Sequence, residues 1–302
     1  MSMKGTIRLG VKTAAFCAAL LCAVSAVAQE APGMNAEIRW DLMEIRAKVS
    51  LDLAGSGLGM PSGRTRGEAL LASEYLRLMR QALMKIQVDS STTLADMVQR
   101  GDWGHSALDA ISMQATSVPP SLSPSLDSLS SVYTLGMPAV SSAIISHRRV
   151  ADIPRTLSPV SAPEYTGIVI MAFDPQRIHG MEGSSQVVPA LFPQIWDSEM
   201  NLIFERNMVD PSVASMARYF SRDAIFARTP SGLSPEALAV VGERPLRIFA
   251  RGVFGQTPTD PVISREDALQ IISSPENRNL LRNGKVAIIL DTPVLSDSFE
   301  VN

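Results

Sequence analysis

The alternation of side chains is clearest in Glu44-Ile-Arg-Ala-Lys-Val-Ser-Leu-Asp-Leu53, where apolar residues occupy every second position. Side chains of a β-strand point to opposite faces in turn, so this period indicates a half-buried strand with one solvent-facing side. The loop Gly55-Ser-Gly-Leu-Gly-Met-Pro-Ser-Gly63 follows the strand. An amphipathic helix is then predicted over residues 68–86 by apolar side chains at helical spacing: Leu71, Tyr75, Leu78 and Ala82.

Short strands and turns alternate along the rest of the chain. Ser- and Pro-rich segments at 115–131 and 148–163 separate the predicted elements, and they indicate loops or a linker. We therefore predict an α+β fold with short, mostly antiparallel strands and a few packed helices. Two small modules are expected, at 29–150 and 164–302, joined by a Pro-punctuated linker at 151–163. The predicted strands are 132–145, 166–173, 194–196, 202–204, 245–250 and 286–290, and helical segments are predicted at 93–99, 212–226 and from 268 onward.

The first 28 residues have the pattern of a cleaved secretory signal peptide. Lys4, Arg8 and Lys12 precede an apolar run over 13–27, and Ala26-Val-Ala28 supplies the small residues that signal peptidase requires. The run is shorter than the roughly 20 residues that a membrane-spanning helix needs. We expect cleavage after Ala28, export to the periplasm and no integral membrane span in the mature chain. A retained amino-terminal anchor is the alternative.

Cleavage of this segment would change the chemistry of the chain. Cys17 and Cys22 both lie in the signal, so the mature protein would have no thiol, no disulfide and no cysteine metal ligand. The loss of three basic residues would leave 24 Lys and Arg against 30 Asp and Glu, a net charge of −6. This negative balance argues against nucleic acid as a partner.

The glycine-rich loop is the best candidate for a small binding site. Dinucleotide sites place glycines between a strand and a helix so that the backbone can approach a pyrophosphate. The spacing here lacks the full fingerprint, and the preceding strand alternates instead of being buried on both faces. Arg64 and Arg66 follow the loop, and arginines can hold a phosphate or carboxylate. A weak anion site is therefore predicted at Arg64 and Arg66, with solvated charges beside a loop as the alternative.

The sequence contains no motif for a metal, a cofactor or a catalytic nucleophile. His105, His147 and His179 are the only histidines, and their spacing does not place two metal ligands on one element. Neither the Gly-x-Ser-x-Gly nor the Ser-x-x-Lys pattern of serine enzymes occurs. We expect no metal, no cofactor and no catalytic residue, although a zinc site or a serine triad assembled from distant loops stays open.

Three acidic residues beside predicted strand ends are candidates for paired carboxylates: Asp174, Asp197 and Glu199. Two carboxylates can divide acid and base roles, as in glycoside hydrolysis. Acids at strand ends more commonly complete turns, and we predict that role here.

The predicted strand and helix resemble the strand-then-helix unit of secreted envelope proteins related to the flagellar assembly protein T amino-terminal domain and to small outer-membrane lipoproteins. The residues that carry this resemblance are Glu68-Ala-Leu-Leu-Ala-Ser-Glu-Tyr-Leu-Arg-Leu-Met-Arg-Gln-Ala-Leu-Met-Lys-Ile86 and Val88-Asp-Ser-Ser91. Later segments look like pieces of the longer members: Tyr165-Thr-Gly-Ile-Val-Ile, Pro193-Gln-Ile-Trp-Asp, Pro245-Leu-Arg-Ile-Phe-Ala and Ile263-Ser-Arg-Glu-Asp-Ala. The resemblance implies α+β modules that pack against envelope partners, and it brings no functional residue to this chain.

These observations favour a secreted, periplasmic, non-catalytic structural or interaction protein of the cell envelope. Envelope proteins are the expected partners, and flagellar or envelope assembly is the expected setting. The alternative is a periplasmic small-anion-binding protein, or a hydrolase, that uses the loop of residues 55–66.

Overall fold

The alternating segment forms a strand, as its period predicts. In the structure, a computed structural model that describes residues 32–156 and 161–301, β2 spans Glu44–Asp52. The odd-numbered side chains of β2 are buried, and the even-numbered ones from Arg46 onward are exposed. Within the described residues the architecture is α+β, with seven α-helices and mostly antiparallel strands in several small sheets. The predicted signal peptide lies outside these residues.

The elements of the amino-terminal half are β1 (Gly33–Arg39), β2, α1 (Gly63–Met84), β3 (Gln87–Asp89), β4 (Thr92–Thr93), α2 (Leu94–Gln99), α3 (His105–Ser112), β5 (Thr116–Ser117), β6 (Ser121–Leu122), β7 (Ser128–Gly136) and α4 (Met137–Ile144). Those of the carboxy-terminal half are β8 (Ile168–Met171), β9 (Gln176–Arg177), β10 (Ser184–Ser185), β11 (Ile195–Asp197), β12 (Leu202–Phe204), β13 (Arg218–Ser221), α5 (Pro235–Val241), β14 (Leu246–Phe249), β15 (Gly252–Phe254), β16 (Asp260–Ile263), α6 (Arg265–Ile272), α7 (Pro275–Arg282), β17 (Val286–Leu290) and β18 (Ser296–Val301). Short 3₁₀ turns lie at Arg206–Met208, Arg222–Ile225 and Thr292–Val294.

The first sheet is antiparallel and has the order β18-β1-β2-β7-β5, with β6 also paired to β7. Ala47 in β2 lies between Ala36 of β1 and Tyr133 of β7. Helix α1 packs on the buried face of this sheet, where the Tyr75 ring stacks on Tyr133 with 3.8 Å between centroids. The Tyr75 hydroxyl donates to the carbonyl oxygen of Ser112 at 2.9 Å. One tyrosine on α1 therefore contacts both the sheet and α3.

Helix α1 begins at Gly63, earlier than the predicted start at residue 68. Gly63 approaches Leu58 so closely that a Cβ atom would lie 2.2 Å from the Leu58 carbonyl oxygen. A Cβ on Gly67 would lie 2.9 Å from Cδ2 of Leu53, the residue that follows β2. These glycines permit close packing of the loop and helix against the sheet.

A parallel sheet of order β13-β17-β8-β14 forms the centre of the second half. Ile168 of β8 lies between Leu246 of β14 and Val286 of β17. Every residue of β8 and β17 is buried, as is typical of a parallel sheet covered on both faces. Residues of α6 and α7 share one apolar cluster with this sheet, and α5 shares the other. A second, mixed sheet has the order β12-β11-β16-β15.

The helix predicted over 212–226 is wrong. This segment contains β13 and the 3₁₀ turn that follows it. Tyr219 and Phe220 alternate in β13, both are buried, and they belong to the clusters on opposite faces of the sheet. Pairing with β17 therefore overrides the local helical spacing.

The strand predicted over 132–145 is correct only as far as Gly136. Helix α4 begins at Met137 and carries Pro138 in its first turn, where proline is well tolerated because the first backbone N–H groups have no intrahelical acceptor. Its buried residues recur at helical spacing, so a continuous apolar run here contains two kinds of element.

The last strand connects the two halves. β18 pairs with β1, so residues 296–301 lie in the first sheet although the sequence analysis groups them with the carboxy-terminal module. Trp40 contacts Tyr219 edge-on, with 5.8 Å between ring centroids. The Phe192 amide donates to the Val88 carbonyl oxygen at 2.8 Å. One large apolar cluster contains residues of both halves.

Candidate functional site

A cleft in the second half is lined from the β9–β10 hairpin, the β11–β12 turn, β15 with the residue before it, and β16. The chain leaves β8 toward the hairpin β9–β10 and leaves β14 toward β15. These two exits stay adjacent because Ile178 and Val253 form a parallel bridge.

Four polar side chains line this cleft, which has a volume of about 280 Å³. All four are exposed: Arg177, His179, Ser198 and Arg251. In the described part of the chain, neither arginine forms a salt bridge. We call this site the arginine cleft. Its chemistry is that of two available guanidinium groups with two further hydrogen-bonding side chains beside them.

The β9–β10 hairpin forms the wall that carries Arg177 and His179. Gly183 in its turn has a φ of +102°, a conformation that a side chain would strain. The His179 amide donates to the Val253 carbonyl oxygen at 2.8 Å, which fixes the hairpin to β15. A Cβ on Gly252 would lie 2.8 Å from the Arg177 carbonyl oxygen. Glycine in β15 therefore permits the hairpin to lie close to it.

Ser198 reaches the cleft from the β11–β12 hairpin, whose position the sequence predicts correctly. Asp197 is fully buried and accepts hydrogen bonds from the amides of Glu199 and Asn201 at 3.0 and 2.8 Å. It also accepts from Nη1 of Arg265 at 2.6 Å. Burial alone would raise the pKa of Asp197, but the hydrogen bonds from Asn201, Arg265 and Glu199 outweigh it and lower the pKa. An ionised carboxylate therefore holds the turn that carries Ser198.

A second group of charged residues lies at the carboxyl ends of the parallel sheet. Arg222 forms a 2.5 Å ion pair with Asp174 and lies 3.6 Å from Asp291. The Asp174 amide donates to Oδ2 of Asp291 at 2.7 Å, and the Arg222 guanidinium lies 4.2 Å from the centroid of Phe173. One guanidinium contacts two carboxylates here, and these contacts join the ends of β8, β13 and β17.

The acids singled out in the sequence analysis divide between two ion-pair groups. Asp174 belongs to the Arg222 group, whereas Asp197 and Glu199 both lie beside Arg265. Asp197 completes a turn, as predicted for acids at strand ends.

Arg64 and Arg66 both lie exposed in the first turn of α1. Arg64 forms an ion pair with Glu68 at 2.9 Å. Neither arginine lines the arginine cleft. An anion site at these two residues stays a prediction, and the cleft between β9 and β15 provides the better enclosed alternative.

The three histidines occupy unrelated places. His179 lines the arginine cleft, Nε2 of His147 lies 2.9 Å from the Val209 carbonyl oxygen, and His105 is the first residue of α3. Across residues 32–156 and 161–301, no group of three His, Cys, Asp or Glu side chains is arranged to hold a metal ion. None of the helices in these ranges has the length and apolar character needed to cross a bilayer.

Arg177 and Arg251 are the residues that sequence reasoning missed. Arg177 is the last residue of β9, and Arg251 lies between β14 and β15. Neither position carries a sequence motif, and the bridge of Ile178 with Val253 is a contact that sequence spacing does not reveal.

Two family models match separate parts of the chain. Residues 31–143 match the model described as Treponema pallidum Tp0624, N-terminal domain, and residues 167–292 match Treponema pallidum Tp0624, second domain. The chain is similar to these two domains in the same order, and the arginine cleft lies within the second matched range. No curated protein matches the chain. The two descriptions name no activity.

Proposed function

We propose that this protein is a binding and interaction protein of the cell envelope that holds an anionic group of a partner protein in the arginine cleft. The observation that carries the proposal is the pair Arg177 and Arg251, which line one cleft and form no salt bridge within the described residues. In this proposal the partner presents an acidic segment, and the protein acts by association.

The chemistry of the cleft supports an anionic occupant. A guanidinium group can bind a carboxylate or phosphate through two parallel N–H···O hydrogen bonds. His179 and Ser198 add two groups that can donate to the same anion. The whole chain carries a formal net charge of −3, so the cleft is a local positive site on an acidic protein. This contrast favours a discrete anionic group over an extended polyanion.

The periplasm is the proposed location, with cleavage after Ala28. The support comes from the basic residues, apolar run and small residues of the first 28 positions. The resemblance to envelope proteins supports the same setting, and a role in flagellar or envelope assembly is part of the proposal.

Photo-crosslinking in cells tests this proposal most directly. A photoreactive residue replaces Met181, which is 61% exposed and follows the cleft residue Gly180. The matched control replaces Met113, which is 67% exposed and lies in the amino-terminal half. We expect a defined envelope protein to crosslink at position 181 and not at position 113. The double variant R177Q/R251Q should reduce that product about tenfold, the loss expected for charge-assisted hydrogen bonds.

Two results would contradict the proposal. Equal crosslinking at positions 113 and 181 would mean that the cleft has no special partner, and an unchanged product in R177Q/R251Q would mean that the arginines do not hold it. Mass spectrometry of the purified protein tests the location separately, because the proposal expects Gln29 as the first residue.

A hydrolase is the second candidate, because His179 and Ser198 line the same cleft. Serine catalysis also needs an acid that orients the histidine. The neighbouring Asp197 instead accepts hydrogen bonds from Asn201 and Arg265. Ester hydrolysis by the unchanged protein and by S198A separates the two candidates, because the binding proposal expects no hydrolysis by either protein. Hydrolysis that disappears in S198A would favour the enzyme.

A further inference from the structure

A second cavity, of about 370 Å³, lies where the two halves of the chain meet. The β1–β2 turn contributes Asp41 and Leu42, and β13 contributes Arg218 and Phe220. We call this site the junction cavity. It shares no lining residue with the arginine cleft. Its other lining residues come from the end of β13, the following 3₁₀ turn and the start of α5: Ser221, Asp223, Ala224, Ser234 and Glu236.

Arg218 gives this cavity a guanidinium group. Its Nε atom is buried and has no hydrogen-bond partner in the described part of the chain. Burial lowers the pKa of Arg218, because the charged guanidinium loses contact with water there. A buried donor without a partner is costly to the protein. A carboxylate that enters the cavity would match the charge of the Arg218 side chain, which lines it.

Asp41 gives the same cavity a carboxylate. Its Oδ2 accepts a hydrogen bond from Nη2 of Arg39 at 3.0 Å, which orients the carboxylate. Its Oδ1 is buried and has no partner among the described residues. Asp223 and Glu236 add negative charge to the lining. The lining therefore has one guanidinium and three carboxylates, so an anionic ligand without a positive group would meet net repulsion.

Apolar side chains complete the lining. Phe220 is buried, whereas Leu42 is 49% exposed at the mouth of the cavity. Together with Ala224 they offer a surface for a small apolar side chain of a ligand.

We propose that the junction cavity binds a small zwitterion of α-amino-acid type with an apolar side chain. In this arrangement the ligand carboxylate lies at Arg218, its ammonium group at Asp41 and its side chain against Leu42 and Phe220. The site differs from the arginine cleft in place and in ligand charge. The proposal therefore stands or fails independently of the proposed function.

Three probes that differ only in their charged groups test this proposal by calorimetric titration of the purified protein. L-leucine carries both groups, 4-methylpentanoate lacks the ammonium group and 3-methylbutylammonium lacks the carboxylate. We expect leucine to bind about tenfold more tightly than either of the other two, as expected when one charged hydrogen bond is lost. Equal affinity of leucine and 4-methylpentanoate, or no binding of leucine, would overturn the proposal.

Variants locate the binding. R218M removes the guanidinium and retains an unbranched side chain, and we expect it to weaken leucine binding about tenfold. R251M is the matched control in the arginine cleft and should bind leucine as the unchanged protein does. Unchanged leucine affinity in R218M would overturn the proposal.

A second variant decides the matter if circular dichroism shows that R218M does not fold. D41N keeps a hydrogen-bond acceptor for Arg39 but loses the negative charge, so leucine should lose its advantage over 4-methylpentanoate. If D41N still prefers leucine about tenfold, the ammonium group does not bind at Asp41 and the proposal is wrong.

Discussion

The antiparallel sheet of the first half and the parallel sheet of the second half bury their strands in different ways. In β2, buried and exposed side chains alternate, and the exposed face is polar. In β17, all five residues are buried because both faces of the sheet are covered. Alternating burial can be recognised in the sequence of a single strand, whereas burial on both faces depends on partners that are distant in sequence.

The two halves also differ in the charged surfaces that they present. The arginine cleft forms where the β9–β10 hairpin, the β11–β12 turn, β15 and β16 of the second half meet. The outer face of the first sheet carries Arg46 and Lys48 beside Glu37, so both signs of charge are mixed there. The arginine cleft in the second half differs from this face, because its two arginines form no salt bridge within the described residues.

The largest predicted effect is the loss of unfolding free energy when two adjacent residues are substituted. In the parallel sheet both substitutions should be costly, whereas in the antiparallel sheet only one should be. Ile288 and Ile289 are both fully buried, in clusters on opposite faces of the parallel sheet, so each change to Ala should cost about 3 kcal/mol of unfolding free energy. In β2, I45A should cost a similar amount, but R46A should change it by less than about 0.5 kcal/mol. Urea unfolding measures all four variants. A mild effect of either I288A or I289A would contradict burial on both faces.

The next largest change in unfolding free energy is expected at Asp197, which holds the turn that carries Ser198. D197A should lower the unfolding free energy by about 3 kcal/mol, because it leaves Arg265 and two turn amides without their acceptor. E199A is the matched control, since Glu199 lies 3.6 Å from Arg265 and its side chain is 62% exposed. Urea unfolding should show a small change for E199A. Equal effects of the two substitutions would contradict the assigned role of Asp197.

The pH dependence gives Asp197 a distinct signature. Its pKa in the folded protein lies below the ordinary value of 3.8, so its stabilising contribution is present above that value. The contribution is lost as pH falls through the folded pKa. We therefore expect the difference in unfolding free energy between the unchanged protein and D197A to shrink on acidification below about pH 4, as measured by urea unfolding across that range.

Asp260 should show the opposite pH dependence. It is also fully buried, but burial raises its pKa because the opposing hydrogen bonds from Gln194 and Thr259 are weaker than the cost of desolvation. Stability is then greatest below the ordinary pKa and is lost as pH rises through the folded pKa. D260N should therefore gain stability relative to the unchanged protein as pH rises from acidic to neutral. If the stability of D197A and of D260N relative to the unchanged protein followed the same pH trend, the opposite pKa shifts assigned to Asp197 and Asp260 would be wrong.

A smaller effect tests the glycine-rich loop of the first half. A Cβ on Gly63 would lie 2.2 Å from a backbone oxygen, so G63A should cost about 2 kcal/mol of unfolding free energy. No atom lies within 4 Å of the position of a Cβ on Gly59, so G59A should change stability by less than about 1 kcal/mol. Thermal unfolding compares the two variants. If G59A proves as harmful as G63A, the packing role assigned to Gly63 is wrong.

Local patterns predicted much of the fold. The period of two located β2, and the spacing of Leu71 and Leu78 located α1. The predicted helix over 212–226 failed because the burial of Tyr219 on one face and Phe220 on the other is decided by β17, which lies far along the chain. β18 was not predicted for a related reason, because its side chains are mostly exposed and show no apolar period.

The candidate site was less predictable than the fold. Arg64 and Arg66 attracted attention because they follow a recognisable loop, whereas Arg177 and Arg251 lie in segments without a motif. Only the order β8-β14 and the bridge of Ile178 with Val253 bring the latter two to one cleft. Sequence spacing cannot show that contact, because the two segments are separated by several intervening elements.

The central claim is that the anion site lies in the second half, and titration with inorganic phosphate at low ionic strength tests it. Calorimetry of the unchanged protein is compared with R251Q in the arginine cleft and R64Q at the start of α1. We predict that R251Q weakens phosphate binding about tenfold and that R64Q leaves it unchanged, since Arg64 is already paired with Glu68. Weaker binding in R64Q with unchanged binding in R251Q would place the anion at the loop of residues 55–66 and contradict this account.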